Sequence, residues 1–186
     1  MNPVLTYVID SSDKVIETNS EFNSFAQKSD AASLEYSVHG KSIWSFIGAE
    51  KLKSLYRQLF EGVRSTQKAV DINFRCDDSQ VLRFMNMTIE PEKEDFLKIS
   101  TRLLREISRK KALAREVFYL GITKGTPMCS NCNKVYINSA IGWMEVDKAL
   151  NSNLISDKLN VSFEVCSTCV AYFDKTIDQL KKTSNS

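Results

Sequence analysis

Two short cysteine pairs constrain this chain more than any other feature. Cys129-Ser130-Asn131-Cys132 and Cys166-Ser167-Thr168-Cys169 are C-x-x-C motifs with 33 residues between them, and they hold four of the five cysteines. Each motif can set two thiolates on one tight turn. Two such turns brought together make a tetrahedral four-sulfur cage, the environment Zn²⁺ prefers. Cys129, Cys132, Cys166 and Cys169 are therefore the expected ligands of one structural Zn²⁺ per chain. Four sulfurs leave no position for water or substrate, so metal-assisted hydrolysis is not expected and no catalytic residue is assigned. Three other readings use the same residues: an iron–sulfur centre, two disulfides, or redox-active C-x-x-C pairs. The last is expected to lack the strand-before, helix-after setting of a thioredoxin-like site.

At 186 residues the chain suits one medium domain plus a small one. Hydrophobic content of 42% and charged content of 26% are those of a soluble globular protein. A net charge of +2 provides no global field toward nucleic acid or anionic membrane. Met1-Asn2-Pro3-Val4-Leu5-Thr6 is not a basic start followed by a long apolar run, and no stretch approaches the roughly 20 apolar residues of a membrane span. The expected location is cytoplasmic, where reduced thiols favour metal over disulfide.

Taken in order, Leu5 to Ile9 and Lys14 to Glu17 read as strands around the turn Asp10-Ser11-Ser12-Asp13. Asn19 or Ser20 can cap a short helix carrying Phe22, Phe25 and Ala26, and Ser29 to His39 reads as loop. A further short helix carries Ser42 to Ile47. The clearest helix places Leu52, Leu55, Tyr56, Leu59, Phe60 and Val63 on one face. The period then changes to two: Val70, Ile72, Phe74 and Cys76 alternate with polar residues, which predicts a buried, inert Cys76. Val81 to Ile89 and Phe96 to Leu104 are the next strands. This order predicts an α+β fold, an antiparallel sheet with helices on one side.

Residues of about 5 to 106 resemble a PAS sensory domain. The resemblance rests on Tyr7-Val8-Ile9-Asp10, on Val15-Ile16-Glu17-Thr18-Asn19 leading into Phe22, and on Gly40-Lys41-Ser42-Ile43-Trp44-Ser45-Phe46-Ile47. It ends with Leu82-Arg83-Phe84-Met85 and Leu103-Leu104-Arg105-Glu106. It implies a five-stranded antiparallel sheet, flanking helices, and a role in sensing or protein association, with the cofactor-binding residues and the ligand unknown. A photoactive flavin would need a reactive cysteine in an Asn-Cys-Arg-Phe context, and the helical region has none. Haem would need a helical axial histidine, but the single histidine, His39, lies in a polar stretch beside Gly40. Phe22, Phe25, Trp44, Phe60, Phe74, Met85 and Met87 can line a small apolar pocket or form a plain packed core.

From Arg102 to Arg115 six basic residues occur: Arg102, Arg105, Arg109, Lys110, Lys111 and Arg115. With Leu103, Leu104, Ile107, Leu113 and Val117 among them, the last strand is expected to run into a helix. The cluster reads as a solvated helix face, with a nucleic-acid or acidic-partner patch as the alternative. Beyond Gly121 and Gly125-Thr126-Pro127, Val135 to Ile137 reads as a strand and Gly142 to about Leu150 as a helix. Val161 to Val165 leads as a strand into the second pair, and a closing helix places Val170, Phe173, Ile177 and Leu180 on one face.

Met128 to Val135, Gly142-Trp143 and Cys166 to Cys169 resemble a cysteine segment found beside PAS and receiver domains in bacterial signalling proteins. Asn133, Phe163-Glu164 and Ser167 depart from its usual Lys, His-Gly and Pro. The expected organisation is a PAS-like sensor domain over residues 1–108, a helical connector over 109–127 and a four-cysteine zinc-binding module over 128–186. No Gly-rich phosphate loop or phospho-acceptor histidine motif occurs, so no enzyme activity is expected. The expected function is that of a sensor or adaptor, two-component-like and bacterial, with a signalling protein partner and homodimer formation. A DNA-binding regulator using the cysteine module and the basic connector is the alternative, and a thiol redox protein the third reading. Membrane is not an expected partner.

Overall fold

The structure is a computed structural model describing residues 3–28, 38–78, 80–109, 125–156 and 159–182. Two sheets and four helices are present among these residues. Strands β1 (Val4–Ile9) and β2 (Val15–Thr18) form the first hairpin. Its turn is held by the Asp10 carboxylate, which accepts from the Ser12 and Lys14 amides, each at 2.9 Å. Helix α1 (Ser20–Lys28) begins where the Asn19 carboxamide oxygen accepts from the Phe22 amide at 2.9 Å. The same oxygen accepts from the Thr6 amide at 3.0 Å, so one side chain caps the helix and ties it to β1.

A 3₁₀ turn over Ile43–Phe46 leads to α2 (Glu50–Thr66). All six residues of its expected stripe are buried, as is Gly62. The helix ends on Gln67 in the left-handed region, φ 54°, whose amide donates to the Val63 carbonyl at 2.9 Å. Strands β3 (Val70–Arg75), β4 (Val81–Pro91) and β5 (Leu97–Ser108) complete an antiparallel sheet in the order β2-β1-β5-β4-β3. The five-stranded antiparallel sheet expected from the sequence is present. Ile9, Ile72, Ile89, Leu97 and Ile99, each fully buried, pack in one core with the α2 stripe.

The second part holds β6 (Thr126–Cys129), β7 (Val135–Tyr136), β8 (Trp143–Met144), α3 (Val146–Asn151), β9 (Val161–Glu164) and α4 (Ser167–Lys182). Its sheet order is β8-β7-β6-β9, with β6 and β9 parallel. Met128, Val135, Val146, Ala149, Leu159 and Val161 make a small core of its own. Phe163 packs against both cores. Helix α4 does not stand apart: Phe173, Ile177 and Leu180 belong to the same core as α2 and the five-stranded sheet. Tyr56 and Phe173 meet edge to face at 5.3 Å. Gly62 allows the close approach, because a Cβ there would lie 2.8 Å from Leu180 Cδ2.

Several expectations are corrected. The last strand of the first sheet continues to Ser108 rather than turning helical near Leu104, because it pairs with β4 as far as Val81↔Ser108. The rest of the expected connector helix, including Lys110, Lys111, Leu113, Arg115 and Val117, lies outside the described residues, as does nearly all of the expected 29–39 loop. Trp143 and Met144 are strand, because they pair with Tyr136 and Val135; the helix opens only at Val146. Cys76 is exposed, not buried: β3 ends at Arg75, and the inner face of the sheet runs on past the cover of α2 into an open cavity. No helix among the described residues is long and apolar enough to cross a membrane.

Candidate metal centre

Parallel pairing brings the two cysteine pairs together. Cys129 ends β6 in register with Glu164 at the end of β9, and the chain then delivers Cys166 two residues later. The first turn closes on itself: Asn133 donates its amide to the Cys129 carbonyl, and Cys129 to the Lys134 carbonyl, each at 2.8 Å. Asn133 holds φ 56°, a left-handed conformation that asparagine tolerates better than most residues. Ser130 donates its amide to the Glu164 carbonyl at 2.8 Å, which locks one pair against the other.

The second pair opens α4. Contrary to expectation, it does follow a strand and precede a helix, since β9 ends at Glu164 and α4 begins at Ser167. Its sulfurs nevertheless face those of the first pair. All four sulfurs lie within 4.8 Å of one another, and Cys132 Sγ is 3.8 Å from Cys166 Sγ. A tetrahedron with sulfurs about 2.3 Å from its centre has edges of about 3.8 Å, so the cluster has the size of a cage for a single ion. The Cys132–Cys166 separation is far beyond the roughly 2.05 Å of a disulfide.

The donors around the sulfurs suit thiolates. Cys166 donates its amide to Cys129 Sγ at 3.4 Å, and Cys169 donates its own to Cys166 Sγ at 3.4 Å. The N-terminus of a 16-residue helix lies beside them and favours negative charge. Hydrogen bonds from Cys132 and Cys169 hold Cys129 far below the ordinary thiol range. Hydrogen bonds to Cys129 and Cys169 raise Cys132, and the bond to Cys129 pushes Cys169 up to about 12. Four sulfurs this close cannot all ionise without a cation among them, and the donor set fits a divalent ion. The four expected ligands are thus brought together as one metal site.

Asn131, between the cysteines of the first pair, joins this site to the large sheet. It is 4% exposed. Its carboxamide nitrogen donates to the Asn73 carbonyl at 3.3 Å and lies 3.5 Å from Cys169 Sγ, while its carbonyl accepts the Arg75 amide at 2.8 Å. The Tyr172 hydroxyl of α4 accepts the Asn73 amide at 3.0 Å. The free edge of β3 is therefore occupied by the cysteine turn and α4, which removes an exposed sheet edge.

A buried ion cluster closes the same junction. Arg75 pairs with Asp77 and with Glu145 beside α3. Arg109 pairs with Asp77 and Asp147, and its Nε donates to the Asp78 carbonyl at 3.1 Å. The Asp77 and Arg109 side chains are 1% and 3% exposed, so Arg109 of the basic cluster faces inward instead of lying on the expected solvated helix face. Arg105 is also engaged, stacked over Phe84 at 4.5 Å. Asn131, Arg75 and Asp77 are not singled out by the motifs, and Arg109 reads as solvated, because a charged or amide side chain in sequence reads as a solvated one.

A cavity of about 740 Å³ lies between the sheet and the cysteine turn. Of the expected pocket residues, Phe60, Phe74 and Met87 line it, joined by Tyr7, Tyr56 and Phe163. Phe22 instead packs on Tyr7, and Trp44 donates its indole N–H to Asp13 at 3.0 Å while stacking on Phe60. Met85 is buried outside the cavity lining, and the Phe25 side chain is not among those described. His39 is exposed.

No protein-family model matches the chain, and no curated protein matches it. The functional reading accordingly rests on the fold, the four-sulfur cage and the sequence resemblances.

Proposed function

We propose that this chain is a PAS-type sensor and adaptor whose C-terminal module is held by one structural Zn²⁺ and engages a signalling protein. The observation that carries this reading is the seating of the four-sulfur cage on the edge of β3 through Asn131. A closed cage of thiolates gives a metal no open position for substrate, so its contribution is to folding and geometry. Its dimensions favour one ion over a multi-iron cluster, and an all-thiolate tetrahedral set favours Zn²⁺ over harder cations. The five-stranded antiparallel sheet with helices inserted between its second and third strands supports the PAS-type assignment. Cytoplasmic, bacterial and dimeric character follow from the resemblance and the reduced thiols, and belong to the same proposal.

Residues exposed on the module offer a place to test it. Ile141 and Leu154 are large hydrophobics left at the surface there, 41% and 40% exposed. A photo-crosslinking amino acid at each position, used in cells, is expected to yield a discrete protein adduct that disappears in Cys166→Ser. Purified protein is expected to bind duplex DNA no more tightly than a neutral control protein across a salt series. Metal-dependent DNA binding with a steep salt slope, and no protein adduct, would replace this reading with that of a DNA-binding regulator.

A further inference from the structure

The four cysteines of the cage are not equally sheltered. Cys129, Cys166 and Cys169 are 0%, 2% and 6% exposed, whereas Cys132 is half-buried. The difference follows from where each stands in the chain. Cys129 ends β6 inside the small sheet, Cys166 immediately precedes α4, and Cys169 lies in its first turn. Cys132 is on the turn between β6 and β7, where Asn133 and Lys134 are half-buried too. Hydrogen bonding does not separate the sulfurs. Cys129 accepts from the Cys166 amide at 3.4 Å, and Cys166 from the Cys169 amide at 3.4 Å. Cys169 accepts from the Asn131 carboxamide at 3.5 Å, and Cys132 from the Lys134 amide. Each sulfur thus has an N–H donor, and access decides which one reacts.

Two further relationships give an attack on Cys132 a consequence. Cys166 Sγ, in the other pair, lies 3.8 Å from Cys132 Sγ, so about 2 Å of movement brings the two to disulfide length. Asn131, the residue before Cys132, is 4% exposed and accepts the Arg75 amide on its carbonyl. A shift of Cys132 toward Cys166 therefore pulls on the peptide that covers the edge of β3. A small neutral oxidant suits a half-buried sulfur better than a bulky or charged one, because it loses less hydration on entry.

We propose that Cys132 is the site at which hydrogen peroxide attacks this protein, and that a Cys132–Cys166 disulfide then opens the cage and lifts the cysteine turn from β3. The Cys132 sulfur attacks one peroxide oxygen: an S–O bond forms, the O–O bond breaks, and the departing hydroxide takes up a proton to become water. The Cys166 sulfur then attacks Cys132: an S–S bond forms, the S–O bond breaks, and a second hydroxide leaves to become water. The two thiolates lose two electrons in all, and the peroxide gains them. The cage falls from four thiolates to two, too few for a closed tetrahedral site, and the folding energy that metal binding supplies there is lost. A small thiol reverses the disulfide by exchange. The inference rests on the structural-metal reading above and makes the same cage a point of input.

The test uses the full chain carrying Cys76→Ser, which removes the exposed thiol outside the cage. Elemental analysis comes first: protein without zinc would overturn the metal reading and this inference with it. On zinc-loaded protein, a limiting amount of N-ethylmaleimide followed by peptide mapping should label Cys132 about tenfold faster than any other cysteine of the cage. Hydrogen peroxide should release zinc to a colorimetric chelator in step with the loss of two thiols per chain, and the map should show Cys132 joined to Cys166. The Arg75 amide, bonded to the Asn131 carbonyl, should then exchange with solvent about tenfold faster or more, and recover its protection after dithiothreitol and zinc are added. With zinc present, even labelling of the four cysteines, any first disulfide other than Cys132–Cys166, or an Arg75 amide as protected after oxidation as before would overturn the inference. Those outcomes would leave the structural-metal reading standing, because the zinc content is measured before any reagent is added.

Discussion

The Asn131 carbonyl accepts the Arg75 amide at 2.8 Å, so a peptide between two metal-ligating cysteines continues the hydrogen-bonding edge of the large sheet. Metal, sheet edge and ion cluster consequently meet within a few residues of one another. Disturbance of one should be felt by the others.

Asn131→Ala keeps that backbone bond but removes the donor to the Asn73 carbonyl and to Cys169 Sγ. A loss of about 1–2 kcal/mol in stability is expected, from a buried hydrogen bond left unmade. Removing a group that orients a ligand should also lower metal affinity about tenfold. Denaturant midpoints and chelator competition measure the two separately.

Phe173 belongs to α4, yet it is fully buried in the core built by α2 and the first sheet. Phe173→Ala should cost about 3–5 kcal/mol. It should raise amide exchange in α2 as well as in α4. Residues 1–108 alone should be much less stable than the same residues in the whole chain, because Tyr56 and Gly62 lose the side chains packed on them. Chelation should therefore loosen α2, as read by hydrogen exchange; protection of α2 indifferent to the metal would show the two parts to be independent.

Arg109→Met leaves Asp147 without its guanidinium and takes one arginine from Asp77, 1% exposed, which keeps its pair with Arg75. Removing one member of a buried ion cluster is expected to cost about 3 kcal/mol. Screening is weak at that depth, so the loss should persist at high salt, unlike that of a surface pair. Thermal unfolding at two salt concentrations tests it.

Where the chain's hydrophobic period is regular, the architecture is legible. The α2 stripe, the three-stranded meander and the apolar face of α4 all follow from spacing, because one-sided burial imposes period 3.6 or 2 on the residues. The four cysteines are legible for a different reason: metal chemistry restricts which residues can stand there. The junction is not legible. Arg75, Asp77 and Arg109 are buried only because they meet one another, Glu145 and Asp147 across the fold, and nothing local marks them. Cys76 continues an apolar alternation and yet is exposed, since periodicity tells which face a side chain takes and not where the covering helix stops. Phe163 departs from the usual segment at a position where it joins two cores, a role visible only in three dimensions.

Tyr56 gives a pH test. Its phenol is raised from the ordinary 10.0, by burial first and then by Tyr7 and Tyr172. In the unfolded chain the phenol ionises near pH 10, whereas in the fold it stays protonated to higher pH. Above about pH 10 the unfolded state thus binds fewer protons, and stability falls as pH rises. The contribution is complete below that value. Tyr56→Phe should flatten the decline between about pH 10 and 11, seen as a smaller drop in Tm than in the parent protein.

The central claim is that four sulfurs close around one ion and leave nothing else in the shell. X-ray absorption at the metal edge of the protein as purified, together with elemental analysis, tests it most directly. The account predicts one zinc per chain with four sulfur neighbours at about 2.3 Å and no oxygen or nitrogen ligand. A lighter atom in the first shell, a metal–metal distance, or a metal-free protein whose four cysteines are oxidised yet whose C-terminal part is folded would contradict it.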